Sequence, residues 1–238
     1  MNAVSSTVAQ AEPTQAARQP RFQIYRAIHK GIRGLMMDTL ARVGRMDIED
    51  AAEMGQALGQ TDALLEFCLG HVHHENEFIH PALEARQSDS SLHTADDHVE
   101  HLEAIARLQA QVAALWGAPV AARAGLADEL YSALGVFVAE NFEHMNIEET
   151  HNQSVLEACY TDGELMAIHD ALLATVPPEE KAFSMRWMLP YLNPTERMHV
   201  FLGMRASAPP EAYEAMLGLA RDVLSERDWF KLQRALQA

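Results

Sequence analysis

From Phe22 onward the apolar residues recur at every third or fourth position, and this repeat restricts the fold more than any other feature of the chain. Phe22, Tyr25, His29, Ile32, Met36, Leu40 and Val43 fall on one stripe, the mark of a helix with one buried face. A second helix is predicted over about 48–86, with Asp47 able to cap it and with Leu64, Phe67, Cys68, Phe78, Ile79 and Ala82 as its stripe. Gly55, Gly59 and Gly70 leave room for a break in it. After the polar turn QSDSS a third helix covers about 94–116, turning Leu102, Ile105, Leu108, Val112 and Leu115 inward, and the run Gly117 to Pro119 stops it. A fourth spans about 121–155. No segment alternates as a strand does.

The last third is a string of shorter helices with clear start signals. These are the capping box Thr161-x-x-Glu164, the run Asn193-Pro194-Thr195-Glu196, and Ser225 ahead of Trp229. The expectation is therefore an all-α chain. An up-down-up-down four-helix bundle occupies 20–157, and a C-terminal helical extension over 158–238 packs on it or mediates contacts, a homodimer among them. Residues 1–19 are rich in Ala, Ser, Thr and Gln; they have too little bulky apolar surface to offset the entropy of ordering and are read as a disordered tail.

Composition narrows the partners. With 18 basic and 34 acidic side chains the formal net charge is −16, which argues against a nucleic-acid surface. No stretch approaches the roughly 18 uninterrupted apolar residues of a membrane span, and the first 20 residues lack a signal-peptide pattern, so a cytoplasmic protein is expected. The two cysteines, Cys68 and Cys159, make no Cys-x-x-Cys pair and are read as reduced thiols.

Histidine is the unusual item: of 12 in the chain, His71, His73, His74, His80, His93, His98 and His101 crowd into residues 71–101. His71 and Glu75 lie four apart on the second helix, and His144 and Glu148 repeat the spacing on the fourth, so each pair shares a helix face. The stripe bearing His71 and Glu75 is otherwise apolar, and a buried carboxylate needs a compensating charge. His73 and Glu77 have the same spacing but share their stripe with Glu66, Gly70, His80 and Glu84, a solvated face. The first helix offers His29 and the third offers His98 or His101, which periodicity does not separate. Four histidines and two carboxylates in a bundle centre suit two transition-metal ions, with iron, manganese or zinc favoured over magnesium or calcium.

At these residues the sequence resembles the hemerythrin-like, or HHE cation-binding, family. The resemblance is carried by the lone His29, by HVHHENEFIHPAL from His71, by Asp97-His98 and by HMNIEE from His144, and it covers roughly residues 20–157. It implies a four-helix bundle holding a non-haem di-iron centre with His29, His71, Glu75, His98, His144 and Glu148 as ligands and both glutamates bridging. It also implies an open position that meets O2, NO or peroxide, and it selects His98 through the acid-His pattern. Oxygen-carrying hemerythrins place two histidines four apart on the third helix, whereas Leu102 stands at the second place here. The set is more similar to that of bacterial di-iron proteins linked to nitrosative stress and iron-centre repair.

Two functions follow from that resemblance: a sensor or binding module for a small diatomic or peroxide, or an oxidoreductase or iron-supplying stress protein. A metal that only staples the bundle is the structural alternative. Tyr25, one turn before His29, either hydrogen-bonds a ligand at such a centre or belongs to the core. A ferritin-like site finds Glu77-x-x-His80 and Glu148-x-x-His151 but no Glu on the first helix, and a zinc protease motif fails because Phe78 stands where its second histidine belongs.

Overall fold

The computed structural model describes residues 21–237; the tail expected over 1–19 lies outside them. The described chain is all helix and turn, with no strand. Helix α1 spans Arg26–Arg45, α2 spans Ala51–His74, α4 spans Leu92–Trp116 and α5 spans Val120–Ile147. These four pack in a closed ring, α1 on α2, α2 on α4, α4 on α5 and α5 on α1. Inside it lie Ile32, Leu35, Met36, Leu58, Leu64, Leu65, Ile105, Leu108, Leu134 and Phe137, all at most 2% exposed. Each such side chain contributes about 1.5–3 kcal/mol by leaving water.

Local signals place the helix ends, with one correction. Asp50, not Asp47, caps α2: its carboxylate accepts from the backbone N–H of Ala52 and Glu53, while Asp47 accepts from Glu49. The QSDSS turn closes with Asp89 in the left-handed region at φ 67°, a conformation Asp tolerates better than most residues.

The second and fourth helices are longer than α2 and α5, because each continues through one wide π turn. Glu75–Ile79 joins α2 to α3 (His80–Arg86), and Glu148–Asn152 joins α5 to α6 (Gln153–Cys159). In each turn the backbone N–H five residues on, of His80 or of Gln153, donates to the carbonyl of the glutamate that opens the turn. Pro81, which has no N–H and crowds the preceding turn, favours the widening at the first site. The second has no proline. A π turn inserts one residue into the helical register, so His80 rather than Phe78 or Glu77 continues the inward face after Glu75; His80 is 7% exposed where its stripe had placed it toward solvent.

Helix α7 (Asp162–Thr175), started by the Thr161–Glu164 capping box, closes the ring at the π turns over Tyr25, Ile79, Leu83 and Leu156. Helix α8 (Pro178–Tyr191) lies along α1. The approach needs Gly31 and Gly34: a Cβ on Gly34 would stand 2.2 Å from the Tyr191 ring and one on Gly31 2.8 Å from Met188. Helices α9 (Pro194–Ser207), α10 (Pro210–Val223) and α11 (Glu226–Gln237) gather with α8 around Leu189, Phe201, Ala220 and Leu232. The start signals at Asn193 and Ser225 both form: Asn193 accepts from Thr195 and Glu196, and Ser225 accepts from Asp228.

Candidate metal centre

All six residues singled out by the sequence converge inside the ring. His29 is fully buried on α1, Glu75 and Glu148 open the two π turns at 3% and 0% exposure, and His98 and His144 are 1% and 5% exposed on α4 and α5. His71, on the last turn of α2, is 15% exposed. Two groups of four overlap on the glutamates: His29, His71, Glu75 and Glu148, and Glu75, His98, His144 and Glu148, with the donor atoms of each group within 4.8 Å of one another. Around Glu75 stand His71 Nε2 at 3.3 Å, His98 Nε2 at 3.4 Å and His29 Nε2 at 3.7 Å. Around Glu148 stand His144 Nε2 at 3.3 Å, His29 Nε2 at 3.4 Å and His98 Nε2 at 3.9 Å. His101 stays out of both groups and packs its ring edge-on to His144 at 4.8 Å.

Protons on the imidazoles are fixed from behind. His29 Nδ1 donates to Glu149 Oε1 at 3.1 Å, His98 Nδ1 to Asn76 Oδ1 at 2.8 Å, and His144 Nδ1 to Asp97 Oδ2 at 3.0 Å. A carboxylate can only accept, and Asn76 turns its carbonyl oxygen to the ring, so each ring carries a proton outward on Nδ1 and turns Nε2 inward. The Nε2 atoms of His98 and His144 face each other at 3.1 Å. Neither carboxylate of Glu75 or Glu148 has a hydrogen-bond partner on either oxygen, nor do His29 Nε2 and His71 Nε2. Nitrogen and anionic oxygen atoms converging in a buried interior repel unless protons or a cation sit among them. The buried cluster can hold a metal ion.

The charges in the buried cluster pull its groups in opposite directions. Burial pulls His144 down, but Glu148, Glu75 and Asp97 overcome it and raise the imidazole to about 9. His29 is also raised: burial opposes protonation, and Glu149 and Glu75 outweigh it. His71 falls to about 3 through burial, with His29, His98 and His144 adding repulsion. Glu148 is pushed up by burial and by Glu75, whereas Glu75, equally buried, is held well down by His71, His29 and His98. Protons on His29 and His144 thus balance part of the carboxylate charge.

Sequence reasoning named Tyr25 beside His29 but missed Glu149 and Asn76. Glu149, the second residue of the π turn Glu148–Asn152, also pairs with Arg33. Asp97 bonds His144 across the helix gap rather than its neighbour His98. His80 stacks flat on His98, centroids 4.8 Å apart, and burial lowers it to about 4. Tyr25 is 2% exposed, its ring is 5.5 Å from that of His29, and its hydroxyl has no partner; burial and then Glu148 and Glu75 keep that hydroxyl protonated. Glu77, His73 and His151 are exposed, so the ferritin-like Glu77–His80 pairing does not face the interior. Cys68 is a buried thiol raised to about 12 by burial, an inert group.

Compared with protein-family models and with curated proteins, the chain matches none. No helix among the described residues is long and apolar enough to cross a membrane.

Proposed function

We propose that residues 20–157 are an up-down-up-down, hemerythrin-like four-helix bundle holding two iron ions, and that the protein is a cytoplasmic sensor or binding module for O2, NO or peroxide. The observation that carries this reading is the pair of overlapping His2Glu2 groups sharing Glu75 and Glu148, with three of the four imidazoles locked so that Nε2 faces the carboxylates. Two shared carboxylates with two imidazoles on either side are what a pair of carboxylate-bridged ions requires. Bound iron would supply redox and Lewis-acid chemistry at an open coordination position. Around it the chain's own groups have definite tasks. His29 and His71 would hold the metal on one side and His98 and His144 on the other, with Glu75 and Glu148 shared between them. Glu149, Asn76 and Asp97 orient the rings, and the Tyr25 hydroxyl, protonated and unpartnered, donates to an incoming ligand atom.

The sensing role, in place of turnover, draws on how α1 is used. The same helix carries His29 on one face and, on the next, Gly31 and Gly34 against α8, while Lys30 pairs with Glu196 of α9 through both carboxylate oxygens at 2.6 and 2.7 Å. A change in His29 is therefore one helix away from the C-terminal helices, which would pass it to a partner or to a second copy of the chain.

Elemental analysis of aerobically purified protein, with its visible spectrum, is the test. About two irons per chain with oxo-bridged ferric bands, a lasting NO or O2 adduct and no product are expected. Catalytic consumption of peroxide or NO would instead make it the oxidoreductase or iron-supplying stress protein, and a colourless, folded, zinc-bound or metal-free chain would overturn the reading in favour of a structural site. Glu148→Ala should lose metal with little loss of helix, while exposed Glu77→Ala should change neither.

A further inference from the structure

The three acceptors behind the imidazoles differ in the charge that backs them. On the α1 side one oxygen, Glu149 Oε1, accepts both from His29 Nδ1 and from Arg33 Nη1. Arg33 stands four residues after His29 on α1, so the two share a face, and its guanidinium lies 6.0 Å from the centroid of the Phe142 ring. A guanidinium is a permanent cation, which makes the Glu149–Arg33 pair behind His29 neutral as a unit. On the opposite side His98 is backed by the neutral amide of Asn76, and His144 by the carboxylate of Asp97. Among the described residues Asp97 pairs with no lysine or arginine, and the cavity beside it adds Glu100, Glu140, Glu143, His93 and His101 but no permanent cation. The side chains of Arg33, Glu149 and Asp97 are each at most 25% exposed, so solvent screens their charges only in part.

We propose that Arg33 and Asp97 make the two metal positions electronically unequal. Asp97 turns His144 into the stronger electron donor, so the His98–His144 position favours the oxidised ion. Arg33, acting through Glu149, leaves the His29–His71 position the more easily reduced. The physical basis is the hydrogen bond behind each ring. An imidazole whose Nδ1–H is drawn toward an uncompensated carboxylate becomes more basic and donates more strongly through Nε2. A guanidinium on the same carboxylate oxygen takes up part of that negative charge and weakens the pull. Neither Arg33 nor Asp97 belongs to the six-residue cluster; both are positioning residues whose effect reaches the metal through an imidazole. The inference rests on the cluster holding two iron ions, and it adds which of the two positions gives up its electron first.

The test is spectroelectrochemistry of the iron-loaded full chain, with iron content measured on the same samples and the two one-electron couples read separately. Arg33→Gln removes the cation, and Asp97→Asn removes the anion while keeping an oxygen that can accept from His144 Nδ1. At wild-type iron content Arg33→Gln should lower the upper couple and Asp97→Asn should raise the lower one. Each shift should be about tenfold in the equilibrium constant, the lower end of what such partners contribute, or about 59 mV for one electron. Arg33→Lys keeps the charge and should return the wild-type potentials, and the double variant Arg33→Gln with Asp97→Asn should bring the two couples closest together. A purely structural role would not send the two single variants in opposite directions. Wild-type potentials in both, or shifts of the same sign, at wild-type iron content would overturn the inference and leave the iron centre standing; a wild-type chain that holds no iron would overturn both.

Discussion

Glu149→Ala isolates the contribution of a residue that never touches the proposed metal. The carboxylate accepts from His29 Nδ1 at 3.1 Å and pairs with Arg33; alanine leaves His29, fully buried, with an inward lone pair no longer fixed by an outward acceptor. A hydrogen bond to a charged group contributes about 1.5–3 kcal/mol net, which is roughly one to two decades of affinity, and removing partners behind metal-bound imidazoles costs about 10- to 100-fold. The metal-free chain makes the same hydrogen bond, so part of the loss cancels and the lower end, about tenfold weaker binding, is expected, together with about 1–2 kcal/mol of folding stability. Glu149→Gln keeps an oxygen that can accept from Nδ1 and should retain most of the affinity. Competition against a chelator of known strength measures the first quantity, and urea unfolding of metal-free protein the second. Wild-type affinity in the alanine variant would refute the argument that orientation from behind His29 matters.

Two further outcomes follow from the packing and the charges. In the metal-free protein His144 is raised from its ordinary 6.5 to about 9, so its contribution is complete below pH 6.5 and is lost as pH rises through 9, about 3 kcal/mol at about 1.4 kcal/mol per tenfold. His71, lowered to about 3, and His80 and His101, lowered to about 4, act in the opposite sense: their contributions are complete above 6.5 and lost as pH falls. Unfolding free energies measured across pH 4–9.5 should therefore peak near neutrality, and a flat profile from 6.5 to 9.5 would contradict the His144 assignment. Gly34→Ala drives a methyl into the Tyr191 ring, which stands 2.2 Å from the added Cβ, and should cost about 1–3 kcal/mol of thermal stability as overpacking; Tyr191→Ala in the same chain should recover part of it.

The six-residue cluster was legible in the sequence because it is written in local spacing. His71 with Glu75 and His144 with Glu148 need only helical periodicity to share a face, and the apolar stripe around His29 needs only the same rule. The capping box at Thr161 and the cap at Asn193 are likewise contained within four residues, and both form. The choice between His98 and His101 was not written there. Both are buried on α4, and only the packing of α4 against α2 and α5 sets the first against the glutamates and the second edge-on to His144. The stripe bearing His80 pointed toward solvent for a different reason: the π turn after Glu75 adds a residue to the register, and a rule built on 3.6 residues per turn carries no record of it. Glu149, Asn76 and Asp97 make their hydrogen bonds to residues 120, 22 and 47 positions away. Helices and inward faces thus follow from neighbours along the chain. Which lone pair faces which carboxylate is decided where distant helices meet, because that geometry depends on side chains the local pattern never brings together.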